Sequence, residues 1–309
     1  MAGLIEQQVE AYRDYLIHER RVSSNTREAY MRDIQMFIVS VADNVSMVDD
    51  IRAYHVNHYM YQLKRDGRAA SSIARIAASL RSFFHFCIRE GNLKLDPSYE
   101  VERPKASSKA PEILSLQDTE RLLALPDESN PLGIRDRAML ETLYATGVRV
   151  SELMSLNMED VQPKLGFLRC MSGKERVVPL GQVAAEALER YLNDARPQLL
   201  SSSSQADGLE TTEHNALFVN VRGQRMSRQG FWKMIKKYAE ELELSFPITP
   251  HTLRHSFAVH MLSNGADVRA VQEMLGHAEL ATTQRYVEHM RKSSMKDVYT
   301  SAHPRAKKK

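Results

Sequence analysis

The sequence predicts a mainly α protein with a small antiparallel β-sheet, arranged as a helical domain followed by an α+β domain. Apolar residues recur every three or four positions through most of both halves, the period of a helix buried on one face. Phe167-Leu168-Arg169-Cys170-Met171 and Arg176-Val177-Val178-Pro179-Leu180 flank a Ser172-Gly173 turn and read as a β-hairpin. Between the halves, the stretch from Asp96-Pro97 through Pro111 carries Pro104, Lys105, Ser107, Ser108 and Lys109 with almost nothing apolar. That is the composition of an exposed linker. The expected domains are residues 1–104 and 112–309, joined by a linker over 105–111.

In the first half, Leu4, Val9, Tyr12 and Leu16 set one helix. After the cap-like Ser24-Asn25, Tyr30, Ile34, Phe37, Ile38 and Val41 set a second. Val56, Tyr59, Met60 and Leu63 define a shorter helix ending near Gly67. Ile73, Ile76, Ala77, Leu80, Phe84, Cys87 and Ile88 define another that stops at Gly91. Helices with one apolar stripe each must bury those stripes together, so a small helical bundle follows. Basic residues gather where the last two helices meet: Lys64, Arg65, Arg68, Arg75 and Arg81. They fit either a solvated helix face or a DNA-backbone surface. Phosphate contacts come from Lys, Arg and Ser/Thr side chains and from helix amino termini, and Ser71-Ser72 adds such donors.

In the second half, Ser115 before Leu116-Gln117-Asp118 and Leu122-Leu123 opens an amphipathic helix with a capping signal. Arg135 to Tyr144 forms another helix, ending at Gly147. Beyond the hairpin, Ala184 to Leu192 returns to helix. Ser201 to Asn215 is polar and Ser-rich without apolar period and reads as a mobile loop. Leu217-Phe218-Val219 reads as a short strand, and Phe231–Leu242, His251–Asn264 and Val268–Leu275 as helices.

The 309 residues suffice for two ordinary cores, and 43% apolar residues is the level of a globular protein. With a net charge of only +3, any affinity for nucleic acid must come from local basic patches. Cys87 and Cys170 sit among apolar neighbours, far apart, as buried thiols in a reducing compartment rather than as a disulfide or zinc site. No apolar run approaches the ~18 residues of a membrane span, so a soluble cytoplasmic protein is expected.

Chemistry concentrates in four places. Arg149 lies in Ala145-Thr146-Gly147-Val148-Arg149-Val150-Ser151-Glu152-Leu153, and His251 and Arg254 in His251-Thr252-Leu253-Arg254. His277 follows Leu275-Gly276, and Tyr286 comes nine residues later. Arginine forks hold phosphate oxygens and neutralise developing charge. Histidines move protons near neutral pH, and a deprotonated phenol is a nucleophile that keeps the phosphate as an ester. Residues three apart share a helix face, so His251 and Arg254 can reach one phosphate. Ser151 and Glu152 are placed to fix the Arg149 guanidinium. His255 is expected to point elsewhere and to be structural, and His289 to face solvent or packing. Taken singly, each residue has an ordinary reading, as a surface ion pair, a helix cap or a core tyrosine.

At these points the chain resembles the tyrosine recombinases of the phage integrase family, most closely the Xer branch. The resemblance runs over nearly the whole chain. It is most specific from Arg135 to Leu153 and from Thr249 to Tyr286. Met226-Ser227-Arg228-Gln229, Phe231-Trp232 and Gly265–Arg269 look like one Xer paralogue, and Ala302-His303-Pro304-Arg305-Ala306-Lys307 like the other.

The resemblance implies a helical core-binding domain that clamps DNA through residues such as Lys64, Arg68, Arg75 and Arg81, followed by a catalytic domain. Tyr286 would attack phosphorus, His251 accept its proton, His277 bond the phosphate, and Arg149 and Arg254 orient the phosphodiester. The family also places a general-acid lysine on the hairpin, in Gly-Lys-Gly-x-Lys-Glu-Arg. Here Met171-Ser172-Gly173-Lys174-Glu175-Arg176 is two residues shorter, and Lys174 matches the second lysine.

No Walker loop or metal-binding carboxylate cluster is evident, in keeping with chemistry that needs no cofactor, no metal and no ATP. The implied partners are a double-stranded recombination site, a paralogous recombinase in a tetramer on two sites, and a cell-division DNA translocase. The implied role is resolution of chromosome dimers. The alternatives are an integrase of a mobile element and a DNA-binding protein that keeps the fold without the chemistry. Met290, Met295, Val298 and Tyr299 are spaced for one more short helix ahead of a basic tail, and the resemblance implies that it docks on a neighbouring protomer.

Overall fold

Apolar spacing turns into helices nearly as the sequence reads. In the computed structural model, which describes residues 5–43, 45–101, 111–171, 175–207, 215–244, 246–288 and 290 (without the side chains of 202–207), the chain splits into two compact units, Met1–Lys109 and Ala110–Lys309. The linker segment 105–110 lies outside the described residues, as does Leu4.

The first unit contains α1 (Ile5–His18), α2 (Ser24–Val41), α3 (Ala53–Arg65) and α4 (Ala70–Arg89). Ser23, not Ser24, caps α2, its hydroxyl accepting from the Thr26 amide, so Ser24-Asn25 already belong to the helix. Tyr12, Leu16, Ile34, Phe37, Leu80, Phe83 and Phe84 are fully buried. Each such side chain contributes roughly 1.5–3 kcal/mol by leaving water. Tyr12 satisfies its hydroxyl on Ser82 Oγ at 2.7 Å.

The second unit begins with α5 (Leu116–Ala124), α6 (Pro131–Thr146) and α7 (Val150–Ser155). A sheet of β1 (Val161–Gln162), β2 (Phe167–Cys170) and β3 (Arg176–Pro179) follows. Then come α8 (Gln182–Arg190), a π-turn at Tyr191–Ala195, α9 (Arg196–Asp207), α10 (Arg228–Glu241), α11 (Pro250–Ser263), α12 (Val268–Leu275) and α13 (280–288). Helix α6 is the axis of this unit, with Ala138, Met139, Leu140 and Leu143 wholly buried. It stops at Gly147, whose φ of +59° is left-handed and whose missing Cβ would lie 2.3 Å from the Phe257 ring. Only glycine fits that turn.

The hairpin forms as expected, antiparallel with Leu168 opposite Val178 and Cys170 opposite Arg176. Alternation carries Leu168, Cys170, Arg176 and Val178 inward and leaves Arg169 and Val177 outside. The third strand, β1, pairs with β2.

Two expectations fail here. Leu217-Phe218-Val219 is no strand. It makes only isolated antiparallel bridges, Ala216 with Asn157 and Val219 with Arg225, and side chains add to them: Tyr191 Oη donates to Leu217 O, the Val219 amide donates to Tyr191 Oη, and Arg196 donates to Ala216 O. The segment read as a loop from Ser201 is helical to Asp207, because α9 is already nucleated upstream and Ser lowers helix propensity only by tenths of a kcal/mol. Its continuation over 208–214 lies outside the described residues.

A separate apolar cluster of Phe257, Ala258, Val259, Leu262, Val271, Leu275 and Tyr286 ties α11, α12 and α13 together. This brings the carboxyl-terminal tyrosine beside the catalytic-looking histidines. The segment entering the unit is pinned to the far side of α11, where the Leu114 amide donates to Ser256 Oγ and His260 Nε2 donates to Leu114 O.

Candidate active site

Three chain turns meet in the second unit: the left-handed turn at Gly147, the first turns of α11, and the left-handed turn at Gly276. Arg149, just past the first turn, is the N-cap of α7. Its amide donates to Glu152 Oε2 at 2.7 Å. Its guanidinium donates to Glu152 Oε1 at 3.0 Å and to Gly276 O at 3.2 Å, while the side chain stays 40% exposed. Arg149 is therefore anchored on one side and open on the other.

Glu152 is 3% exposed and serves two arginines, because Arg176 from β3 donates to both its oxygens at 2.9 and 3.0 Å. Arg176 is 4% exposed and also donates from Nε to Met274 O. A Cβ at Gly276 would lie 2.8 Å from its guanidinium, so glycine there makes room for the ion pair. Burial alone pushes the Glu152 pKa up. The bonds from Arg176 and the Arg149 amide outweigh it and hold the carboxyl below its usual value.

Arg254 is buried and donates to Gly147 O and Leu275 O, tying both glycine turns to α11. Burial first, then the neighbouring Arg149 charge, brings its pKa down to about 10. Two guanidinium groups this close favour an anion between them. Arg254 Nη2 also meets His277 Nε2 at 3.1 Å. A guanidinium only donates, so His277 Nε2 accepts, and the ring proton sits on Nδ1, donating to Thr283 Oγ1 at 2.9 Å. Burial and the Arg254 and Arg149 charges push the His277 pKa down to about 4, so the ring is neutral at pH 7.

Tyr286 is 5% exposed. Its ring lies nearly parallel to that of His277, with centroids 6.5 Å apart. Burial raises its pKa, and Arg254 partly offsets this. Its hydroxyl is 2.7 Å from His255 Nδ1, which corrects the expectation that His255 points elsewhere. Spacing explains the error: His255 is four residues after exposed His251, on the same helix face, and their rings lie 6.3 Å apart. The His251 pKa is lowered by burial and by Arg254 and Arg149.

The structure thus brings Arg149, His251, Arg254, His277 and Tyr286 into one site, with Glu152 on the Arg149 guanidinium as the sequence suggests, and adds Arg176, His255 and Thr283. Inward alternation on β3 was the available signal for Arg176. Nothing local marked Thr283. Lys174, with the turn 172–174, and His289 lie outside the described residues.

The basic cluster of the first unit divides in two. Lys64 and Arg68 are exposed. Arg75 is drawn onto buried Asp33, which also accepts from Ser79 Oγ, and Arg81 donates to Ser98 O and Val101 O. Both arginines of α4 thus also hold internal acceptors, Arg75 while remaining exposed. Cys87 and Cys170 are free and buried. None of the described helices is long and apolar enough to cross a membrane.

The phage integrase family matches residues 112–293, and the phage integrase N-terminal SAM-like domain matches residues 9–91. The chain is 45% identical to the tyrosine recombinase XerD of Listeria monocytogenes serotype 4b (strain F2365), over 96% of this chain and 99% of that one. It is 47% identical to XerD of Halalkalibacterium halodurans, over 93% and 94%. Its fold is similar to that of a lambda integrase tetramer bound to a Holliday junction, with a TM-score of 0.70 and 18% identity over 92% of this chain and 77% of that one. The chain belongs to the phage integrase family and is a tyrosine recombinase, an enzyme that cuts and rejoins DNA.

Proposed function

We propose that this recombinase acts in the cytoplasm on one chromosomal site and resolves chromosome dimers at cell division. The observation that carries the chemistry is the buried Tyr286 beside the arginine–histidine cluster: its ring lies nearly parallel to that of His277, 6.5 Å between centroids, and the Arg254 charge acts on its hydroxyl. Arg149 and Arg254 hold the non-bridging oxygens of the scissile phosphate and stabilise the pentavalent transition state. One such contact is worth about 10²–10³ in rate. Tyr286 attacks phosphorus, the O–P bond forms, the bond to the 5′ oxygen breaks, and a 3′-phosphotyrosyl ester keeps the bond energy. The freed 5′ hydroxyl attacks the equivalent ester on a partner strand. The phenolic proton leaves towards the histidines of α11, His251 among them. His277 turns from Arg254 and, with a proton on Nε2, donates to the phosphate, while Lys174 protonates the leaving oxygen. Exposed Lys64, Arg68 and Arg75 contact the DNA backbone, with Arg81 beside them holding the Ser98 and Val101 carbonyls.

The closely similar XerD proteins support the chromosomal role, and the lambda integrase tetramer on a Holliday junction supports assembly on paired sites. The partners on this reading are duplex DNA, a paralogous recombinase completing the tetramer, and a cell-division DNA translocase that controls it. Denaturing capture of the protein from its host, followed by sequencing of the attached DNA, tests the role. One chromosomal locus without flanking attachment repeats is expected. Recovery of the repeats bounding a mobile element would overturn it.

Two further results follow. Lys174→Ala should slow cleavage of an ordinary site about 10²-fold or more, yet leave a 5′-bridging phosphorothiolate site nearly unaffected, since sulfur departs without a proton. Equal defects on both substrates would remove Lys174 as the acid. Deleting residues from Met290 onward should preserve single-site binding in gel-shift assays but lose synapsis, because the ring closes through head-to-tail contacts. Normal recombination by the truncated chain would refute that role for the tail.

A further inference from the structure

The proton of Tyr286 needs an acceptor, and the basic atom hydrogen-bonded to its hydroxyl is on a residue outside the set the motifs single out. His255 Nδ1 lies 2.7 Å from Tyr286 Oη, a normal hydrogen-bond length. The ring is half-buried in the second turn of α11 and tilted 51° to the tyrosine ring, with centroids 5.5 Å apart. Exposed His251 follows on the outer side, one helical turn back on the same face. Phenol, His255, His251 and solvent thus lie in sequence from the core outward.

We propose that His255 is a catalytic residue: its Nδ1 takes the Tyr286 proton as the tyrosine oxygen bonds to phosphorus, and His251 passes that proton to solvent. The inference rests on the recombinase reading of this site and refines its base. The step balances. The Tyr286 O–H bond breaks, the O–P bond forms, the P–O5′ bond breaks, and the departing oxygen takes its own proton from the general acid. The groups facing His255 are His251 and Arg254 on its own helix, Tyr286 on α13, and His277 beyond α12. Burial, His251 and Arg254 keep the ring neutral with its pKa pushed down to about 4, so Nδ1 is free to accept at pH 7. A weak base suffices, because the phenol oxygen loses electron density to phosphorus and becomes far more acidic as the transition state is approached. Entry of the phosphate anion beside Arg254 also raises the basicity of both histidines.

The test is single-turnover cleavage of a nicked duplex carrying the captured chromosomal site, compared for wild type, His255→Asn and His255→Ala. Asparagine retains an acceptor near the Nδ1 position but takes no proton. H255N should bind the duplex like wild type, cleave about 10²-fold more slowly at pH 7, and recover rate towards alkaline pH as the phenol ionises without help. H255A should be partly rescued by added imidazole, which holds as a criterion even if H255N folds poorly. Cleavage by H255N at the wild-type rate, or a defect in both variants that neither pH nor imidazole moves, would overturn the proposal and reduce His255 to a packing residue. Absence of any wild-type adduct would sink the recombinase reading itself, whereas a wild-type adduct with no dependence on His255 removes only this inference.

Discussion

Tyr286→Phe is expected to bind its DNA site with unchanged affinity and to form no covalent adduct. The substitution deletes the hydroxyl and nothing else. The ring keeps its place against Phe257, Val271 and Leu275, and the loss is one hydrogen bond to His255, about 1 kcal/mol of stability. Fold and DNA affinity should survive, while the phosphotyrosyl bond cannot form. Denaturing electrophoresis after incubation with a nicked site reads the outcome, and an adduct persisting in the variant would remove Tyr286 as the nucleophile.

Glu152→Ala should damage both stability and cleavage. The carboxylate is the shared counter-charge of Arg149 and Arg176, and both it and Arg176 are almost fully buried. Removing one partner of such a pair leaves an uncompensated charge inside and typically costs about 3–5 kcal/mol. The same change releases half of the Arg149 anchor, so the phosphate clamp loosens and cleavage should fall by about 10²-fold. Urea titration and single-turnover cleavage measure the two effects, and Glu152→Gln, which keeps the shape, should lie between. The folded-state pKa of Glu152 is depressed, so its stabilisation is complete above the unfolded value of about 4.5 and is lost as pH falls through the folded value. E152A should therefore lose less stability on acidification than wild type. A variant as stable as wild type at neutral pH would mean that Arg176 finds another partner.

Much of this molecule was legible because its signals are local. The stripe through Ile73, Leu80, Phe84 and Cys87 is visible over about four turns, and Gly147 and Gly276 announce their helix ends. Arg149, His251, Arg254, His277 and Tyr286 stand in motifs whose residue types state their chemistry. What escaped was either too short or assembled from distant segments. Helix α7 spans six residues and β1 two, below the length at which a period can be read. The apolar run Leu217-Phe218-Val219 reads as a strand, but the segment makes only isolated bridges, and Tyr191 and Arg196 take up part of its hydrogen bonding. The partnership of Glu152 with Arg176 exists only once the hairpin lies against the end of α12. Likewise, Arg75 and Arg81 looked free because their acceptors, Asp33 and the carbonyls near 98–101, are far away or follow the helix. His255 lies one turn after His251 on the same helix face, but its partner Tyr286 comes from a distant segment, so nothing local points to it.

The central claim is that Tyr286 takes the DNA phosphate inside the cleft of Arg149, Arg254 and His277. Peptide mapping of the covalent adduct by mass spectrometry, after trapping wild-type protein on a nicked site and digesting both components, tests it most directly. The account predicts a nucleotide joined through its 3′ phosphate to the peptide containing Tyr286. A phosphate on another residue, or a linkage through the 5′ phosphate, would contradict it.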